Sequence, residues 1–532
     1  MSSHQTVLIL DYGSQYTQLI TRRVRELGIH SRILPADVSL DRIRREAPKA
    51  VILSGGPSSV YDSGAPLLPE GFLAFQKESC LPVLGVCYGM QLLAKQLGGA
   101  VSKAQVREYG RMQVSPVGPS ALFSHNSQAA HHASFFTPFF AWMSHGDETQ
   151  NVPPGFKVVA RSSSGSVAAM ENEAEKIFGL QFHPEVAHTE GGKELLRRFL
   201  VELAGIQPDW NMNCVLEEQV ALIQKTVGPT EPVICALSGG VDSAVAAALV
   251  HRAIGDRLHC FFVDHGLLRF REGDQVMEMF QKNLHLPVTR LDHSARFLKL
   301  LEGVTDPEKK RKIIGAEFIA SFEMAAETIA KELGRLPRFL VQGTLYPDVI
   351  ESSPGHKHSA TIKSHHNVGG LPENLRFQLI EPLRDLFKDE VRELGRRLEV
   401  PEEFLGRHPF PGPGLAVRVI GEITQRNLEI LRHVDDIFIQ SLRQAGLYSK
   451  IWQAFAVFLP VRSVGVQGDG RTHDHVVALR AVSSSDGMTA DWYPFDPQFL
   501  ASVSSRICNE VRGVNRVVYD ISSKPPATIE WE

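Results

Sequence analysis

The sequence is poor in cysteine and carries no surplus of either charge. Six cysteines (Cys80, Cys87, Cys214, Cys235, Cys260 and Cys508) are scattered through 532 residues without CxxC spacing, which argues against a disulfide scaffold or a structural zinc site. Lys and Arg number 56 against 60 Asp and Glu, formally −4, so nothing general attracts the chain to nucleic acid or an anionic membrane. No apolar run reaches membrane-spanning length, and the start, Met1 to Thr6, is polar rather than signal-like. A reducing cytoplasm is the expected setting. No GxxxxGK[ST] string occurs, so the phosphate cradle of kinases and GTPases is excluded.

What the chain does have is length and a repeated strand–turn–helix pattern. At 532 residues it exceeds one ordinary hydrophobic core, and roughly two to four domains are expected. Apolar runs at 7–10, 51–53 and 82–86 each empty into a glycine-containing turn, and helical stretches are expected at 18–27 and 90–97. Such alternation favours a parallel α/β sheet, whose ligands gather beyond the carboxyl ends of the strands. Cys87 sits at one of these junctions, in Gly85-Val86-Cys87-Tyr88-Gly89. A sharp elbow there lifts the sulfur out of the layer, and a helix N-terminus favours the thiolate. The opposing reading is an inert buried cysteine. In Phe182-His183-Pro184-Glu185 a strand empties into a His-x-Glu turn, where His183 could take a thiol proton and Glu185 orient the ring. Ser54-Gly55-Gly56-Pro57 could offer backbone N–H groups to an oxyanion. The chain holds 21 histidines, and His145 and His188 stand as alternatives to His183.

A second chemical centre is written in Leu237-Ser238-Gly239-Gly240-Val241-Asp242-Ser243, between an apolar run and an alanine-rich helical segment. Successive N–H groups at a helix start make an anion nest, to which Ser238 and Ser243 add hydroxyls. A plain turn is the alternative. The next strand, 258–263, leads to Asp264, which either borders a ligand or caps its own turn. The basic run Lys309-Lys310-Arg311-Lys312 reads equally as a solvated helix face. The stretch 352–372, rich in His, Lys, Ser and Gly, is too polar for a core. Its histidines lack metal-ligand spacing, and a lid over phosphates with Lys363 as point charge is the preferred reading.

The Pro- and Gly-dense strip 406–414 marks a boundary. Beyond it a strand is expected at 415–420, a helix at 424–442, and strands at 454–461 and 475–481 around a polar loop. A helix within 497–511 and a strand at 516–521 complete a small α+β domain with a mostly antiparallel sheet. The tail from Lys524 through Pro525, Pro526, Glu530 and Trp531 to Glu532 reads either as an expendable end or as a rigid pocket wall. In the second case Lys524 meets phosphate and Glu530 accepts from a ring N–H or sugar hydroxyl.

Taken as strings, these motifs carry family resemblances. GVCYGMQ, the SGGP turn and FHPE together resemble class I glutamine amidotransferases. That resemblance implies Cys87 as nucleophile, His183 as base and Glu185 as its orienting group. It also implies oxyanion N–H groups at Gly56 and Tyr88, and Gln91 in the glutamine seat. SGGVDS resembles the pyrophosphate loop of ATP pyrophosphatases. This implies ATP held by Ser238, Gly239, Gly240, Val241, Asp242, Ser243 and Val263, with Mg2+ at Asp242. With KSHHNVGGLP, GRHPFPGPGLAVR, DGMTADW and KPPATIEWE following in order, essentially all 532 residues resemble the glutamine-hydrolysing GMP synthase family. The implied reaction is amination of XMP to GMP through an adenyl-XMP intermediate. ATP is the activator and glutamine the nitrogen donor, and AMP, pyrophosphate and glutamate are released.

XMP contacts are implied at Arg311, Gln467, Lys524 and Glu530, as is a homodimer through the last domain, with no nucleic-acid or membrane partner. The expected architecture is two parallel-sheet, Rossmann-like α/β domains followed by a small α+β dimerisation domain. The amidotransferase would occupy 1–206, the ATP pyrophosphatase 207–405 and the dimerisation and XMP-binding domain 406–532. Three alternatives stand against this reading. CTP synthase, as another glutamine-dependent ligase, needs a kinase-type loop. A tRNA-thiolating pyrophosphatase has no use for GVCYGMQ and FHPE. A nucleotide-sensing scaffold has no need of an intact Cys87, His183 and Asp242.

Overall fold

The short apolar runs near the amino end lie side by side as strands of one sheet. The computed structural model describes residues 4–123, 137–335, 337–351, 377–467, 470–484 and 489–532. The chain divides into a first unit, Met1–Val215 with Ile350–Ala360, and a second, Leu216–Val349 with Thr361–Glu532. The first holds β1 (Thr6–Asp11), β2 (His30–Pro35), β3 (Ala50–Leu53), β4 (Val83–Val86), β5 (Ala100–Pro116), β6 (Phe139–Asn151), β7 (Lys157–Ser162), β8 (Val167–Asn172) and β9 (Ile177–Leu180). Their order across the sheet is β2-β1-β3-β4-β9-β8-β7-β5-β6.

From β2 to β9 the pairs are parallel, as the alternation with helices predicts. Successive residues there serve opposite faces: Val7, Ile9 and Ile52 join one core, and Leu8, Leu10 and Val51 the other. From β9 onward the pairing turns antiparallel through β8, β7, β5 and β6, which corrects the expectation of a purely parallel sheet. The cause is legible in β6, where Phe139, Ala141, Met143 and His145 are buried while their neighbours are less so. One core-facing side and one wetter side is the pattern of an antiparallel wing.

His30 lies buried in this unit, its Nδ1 2.9 Å from Thr6 Oγ1 and its ring centroid 4.7 Å from that of Trp210. Burial above all, then the charges of Arg25 and Arg32, push its pKa from 6.5 down to about 3. The unfolded chain therefore takes up a proton that the fold refuses. The stabilising effect is fully present above about pH 6.5 and is lost as pH falls toward 3, by up to ~5 kcal/mol. Replacing His30→Gln should lower the acid-unfolding midpoint of this unit, read by hydrogen exchange of the β1 and β2 amides.

In the second unit, β10 (Val233–Leu237), β11 (Leu258–Asp264), β12 (Val288–Asp292), β13 (Phe339–Val341) and β14 (Gln378–Ile380) run parallel. Their order is β12-β11-β10-β13-β14. The order reverses at β10, so a crevice opens at its carboxyl end, where Ser238 begins the glycine loop. Further along, β15 (Gln453–Gln467) and β16 (Gly470–Ser483) form a long antiparallel hairpin. β17 (Asp491–Trp492) pairs antiparallel with β16, and β18 (Val514–Tyr519) pairs parallel with it. The helices Gln425–Gln444 and Pro497–Glu510 begin at the capping side chains of Thr424 and Asp496.

The strand expected at 415–420 is not formed. Gly414–Arg418 is a short 3-10 turn, and only Val419 bridges to Phe458. Leu415, Ala416 and Val417 are all fully buried, and a short all-apolar run carries no period that separates strand from helix. Gly414, at φ +62°, lets this turn press on Leu267, whose carbonyl oxygen would lie 2.4 Å from a Cβ. One core runs from Ile234, Phe261 and Leu340 of the parallel sheet to Leu431, Phe438, Val477 and Ile507. Among the described residues, no helix is long and apolar enough to cross a membrane.

Candidate active sites

In the first unit, β4 ends at Val86, Cys87 follows, and the helix Tyr88–Gln96 begins directly after it. Cys87 is held at φ +52°, ψ −106°, a backbone state that costs a side-chain-bearing residue on the order of 1–3 kcal/mol. The Cys87 N–H donates to the Leu180 carbonyl at 2.7 Å. Gly89 permits the close crossing that makes the elbow, because a Cβ there would lie 2.4 Å from the Leu53 carbonyl oxygen. Cys87 is 5% exposed. His183 lies beyond β9, its Nδ1 2.7 Å from Glu185 Oε1, with both side chains buried. The Thr189 hydroxyl donates to the His183 carbonyl at 2.6 Å, and the Tyr16 ring packs edge-on at 4.9 Å.

Burial opposes charge on His183 most strongly. The Glu185 carboxylate, with hydrogen bonds to Cys87 and Glu185, outweighs it and holds the ring well above the usual imidazole range. Sulfur, imidazole and carboxylate are thus brought together in sequence. The alternative histidines are engaged elsewhere: His145 Nε2 meets Glu108 Oε2 at 2.9 Å, and His188 lies 5.0 Å from the Trp142 ring. Tyr88 is the first residue of its helix, where an N–H has no helical partner. Gly56 follows β3 so closely on Tyr12 that a Cβ would lie 2.6 Å from the Tyr12 carbonyl oxygen. Gln91 is buried and donates to the Asp147 carbonyl at 2.9 Å and to Gln181 Oε1 at 3.1 Å. Gln181, which sequence reasoning passed over, in turn donates toward Cys87 Sγ at 3.7 Å.

In the second unit the glycine loop closes on itself. Ser238 Oγ and Ser243 Oγ are 3.0 Å apart, Gly240 N–H donates to Ser238 Oγ, and Ser243 Oγ donates to the Gly240 carbonyl. Gly239 takes φ +77°, and the helix Val241–Ile254 starts with no side-chain cap, leaving its first N–H groups for a ligand. Asp242 Oδ2 pairs with Lys388 Nζ at 3.1 Å, while Asp242 Oδ1 is buried and has no hydrogen-bond partner among the described residues. Lys388 opens the helix Lys388–Arg397. No local signal in the sequence joins it to a loop so distant in the chain.

The side chain of Val263 is buried, so only its backbone is available to a ligand. Asp264 does cap its turn, accepting from Gly266 N–H at 3.0 Å, and it also pairs with Arg290 at 2.6 Å beside a cleft of about 280 Å³. Among the described residues no group of three or more His, Cys, Asp or Glu could hold a metal ion. One carboxylate with an unpaired oxygen still fits Mg2+, which binds through one or two carboxylates plus substrate phosphates.

The tail is not a loose end. Arg480, fully buried, donates to the carbonyls of Ile529, Ser522 and Thr528 at 2.8, 3.0 and 2.9 Å and pairs with Asp520. Arg418, also fully buried, grips both oxygens of Glu530 at 2.8 and 3.1 Å. Gln453 adds a third bond to Glu530 at 2.7 Å, so the acceptors expected to face a ligand are met from within. Arg311 donates to the Glu532 carbonyl at 2.6 Å, while the buried Lys310 pairs with the Glu532 carboxylate at 2.5 Å. Lys524 exchanges backbone hydrogen bonds with Ala490. Gln467 pairs through its backbone with Gly470 at the hairpin tip, and Lys363 lies outside the described residues.

A nucleophile elbow backed by His-x-Glu defines a class, and residues 8–203 match the family described as glutamine amidotransferase class-I. Residues 440–531 match the family described as GMP synthase C terminal domain. Along the whole length, the chain is 56% identical over 535 residues to "GMP synthase [glutamine-hydrolyzing]" of Chlorobium limicola, covering 99% of this chain and 100% of that one. Proteins of the same name from Rhodopseudomonas palustris and Bradyrhizobium diazoefficiens are each 54% identical, covering 99% and 100% of this chain and 95% and 94% of theirs. The chain belongs to the glutamine-hydrolysing GMP synthase family.

Proposed function

We propose that this chain converts XMP to GMP, using ATP to activate the acceptor oxygen and glutamine to supply nitrogen. The observation that carries the reading is the strained Cys87 set against the buried His183–Glu185 pair. Cys87 attacks the carboxamide carbon of glutamine while His183 takes the thiol proton, and the tetrahedral oxyanion accepts from the Gly56 and Tyr88 N–H groups. His183 returns the proton to the departing ammonia. Water, deprotonated by His183, then cleaves the thioester and releases glutamate. Glu185 keeps the ring oriented and supports its charge, and Gln91 helps to seat glutamine.

In the second unit the oxygen on C2 of XMP attacks the α-phosphorus of ATP. The pyrophosphate leaving group is received by the N–H groups and hydroxyls of 238–243, with Val263 bordering the nucleotide. Asp242, together with the phosphates, would hold Mg2+, which would supply charge neutralisation on that leaving group. Ammonia then displaces AMP at C2. Arg311, Gln467, Lys524 and Glu530 are assigned to XMP and Lys363 to the lid. For Arg311 and Glu530 this requires release from Glu532 and Arg418.

We divide the chain at 1–206, 207–405 and 406–532, reading the middle part as an ATP pyrophosphatase of Rossmann-like form. Among the described residues no disulfide joins the cysteines, which suits a cytoplasmic setting. Purified protein given XMP, MgATP and glutamine should yield GMP, AMP, pyrophosphate and glutamate. Formation of ADP and phosphate would overturn the pyrophosphatase half.

Lys388 belongs with this machinery as a point charge beside the pyrophosphate loop. Lys388→Met should lower kcat/KM for ATP by about 10²-fold with either glutamine or ammonium as nitrogen source, measured as pyrophosphate release. A homodimer through the last part is supported by the outer half of β15, where Val461, Val464 and Val466 are 56%, 54% and 75% exposed. Val464→Lys with Val466→Lys should give a monomer in sedimentation equilibrium. An unchanged dimer would move the interface elsewhere.

A further inference from the structure

A second buried carboxylate–imidazole pair lies next to the nucleophile, and the reaction as written makes no use of it. Glu108 on β5 and His145 on β6 are direct partners across the antiparallel register, 1% and 5% exposed, with Oε2 and Nε2 2.9 Å apart. The other ring nitrogen, Nδ1, lies 2.9 Å from the Asp147 carbonyl. Both ring nitrogens therefore face acceptors, Nδ1 a carbonyl and Nε2 a carboxylate. Glu108 also accepts from Ser164. Burial alone would raise its pKa, but hydrogen bonds from His145, Ser162 and Ser164 prevail and hold the carboxyl below its usual range. Two ionisable groups buried together stabilise little in themselves, which directs attention to what they hold in place.

They hold the segment Ser144–Asp147. The Ser144 carbonyl is the group that Cys87 Sγ faces at 3.7 Å. The Asp147 carbonyl receives both His145 Nδ1 and Gln91 Nε2, each at 2.9 Å. The Asp147 carboxylate is tied down separately by the hydroxyls of Ser59 and of Tyr61, the latter at 2.6 Å. The backbone of 144–147 is therefore one wall of the space in front of the sulfur, fixed from behind by the Glu108–His145 pair. We infer that Glu108 and His145 are positioning residues for glutamine hydrolysis, holding the Ser144–Asp147 wall so that the substrate carboxamide meets Cys87 in line. The inference rests on the amidotransferase reading of Cys87.

The test uses the full chain with Glu108→Gln, His145→Asn, His145→Gln and the double variant Glu108→Gln/His145→Asn. His145→Asn keeps a donor where Nδ1 stands and loses the contact to Glu108, whereas His145→Gln does the reverse. Steady-state glutaminase kinetics, ammonium-dependent GMP formation and the rate of Cys87 alkylation by iodoacetamide are measured for each. The expected result is a glutamine kcat/KM about tenfold lower in each single variant, mostly through KM. The double variant should be no worse than the poorer single one, with ammonium-dependent synthesis and alkylation unchanged. Wild-type glutamine kinetics in the single variants would overturn the inference. So would effects that add in the double variant, or an equal fall in ammonium-dependent synthesis. If wild-type protein itself shows no Cys87-dependent glutaminase activity, the amidotransferase reading fails instead, and the two failures are told apart by that control.

Discussion

Cys87→Ala should abolish GMP formation from glutamine, by about 10⁴-fold or more, and leave formation from ammonium untouched. The asymmetry follows from where the sulfur sits. Cys87 belongs to the first unit, where it is one small member of a core built from many larger side chains, and the glycine loop at 238–243 belongs to the second. Alanine at this position would keep the unfavourable φ of +52° but lose the atom that His183 serves. The assay is GMP formation with saturating XMP and MgATP, run in parallel with glutamine and with ammonium chloride. Loss of both activities would mean that Cys87 acts beyond amide hydrolysis. Retention of both would remove it as the nucleophile.

The second large effect concerns stability. Arg418 is completely buried, with its guanidinium 4.1 Å from the Phe455 ring centre and its charge answered by Glu530. Glu530→Leu would leave that cation without its counter-ion, and removing one member of a buried pair destabilises by roughly 3–5 kcal/mol. The urea midpoint of the second unit should fall accordingly. Adding Arg418→Met should recover much of the loss, because two apolar side chains of similar volume replace a pair rather than orphan half of it. A double variant that is less stable than Glu530→Leu would mean that Arg418 stabilises through the rings of Phe410 and Phe455 instead.

Reading from the chain alone picked out the candidate sites, which lie at strand ends, more readily than their surroundings. Cys87 and the loop at 238–243 stand out because each lies where a short apolar run meets glycine, and a strand end of that kind has few other structures open to it; His183 stands out because its strand empties into a His-x-Glu turn. The helix expected at 424–442 is present as Gln425–Gln444, since its apolar period is long and its cap, Thr424, is explicit. The antiparallel wing of β5 to β8 was missed because its pairing depends on partners far apart in sequence, and β5 is interrupted by a register shift between Lys103 and Glu108. Lys388, Gln181 and Glu108 escaped for the same reason: each acquires meaning only from a partner brought close by the fold. The tail shows a different limit. Its composition suited both a free end and a wall, and only the burial of Arg418 and Arg480 against it separates the two.

The core that joins the parallel sheet to the last part of the chain also governs how the second unit comes apart. Phe261, Phe297 and Ile314 share their packing with Leu415, Leu431 and Phe438, and the ammonium of Lys310 is solvated by the carbonyls of Ala416 and Val419. Neither half can open without wetting the other, so melting of this unit should be one cooperative event rather than two. A fragment cut at the Pro–Gly strip would begin with an exposed apolar face and a stranded cation. The boundary most visible in the text of the sequence is therefore bridged by a shared core.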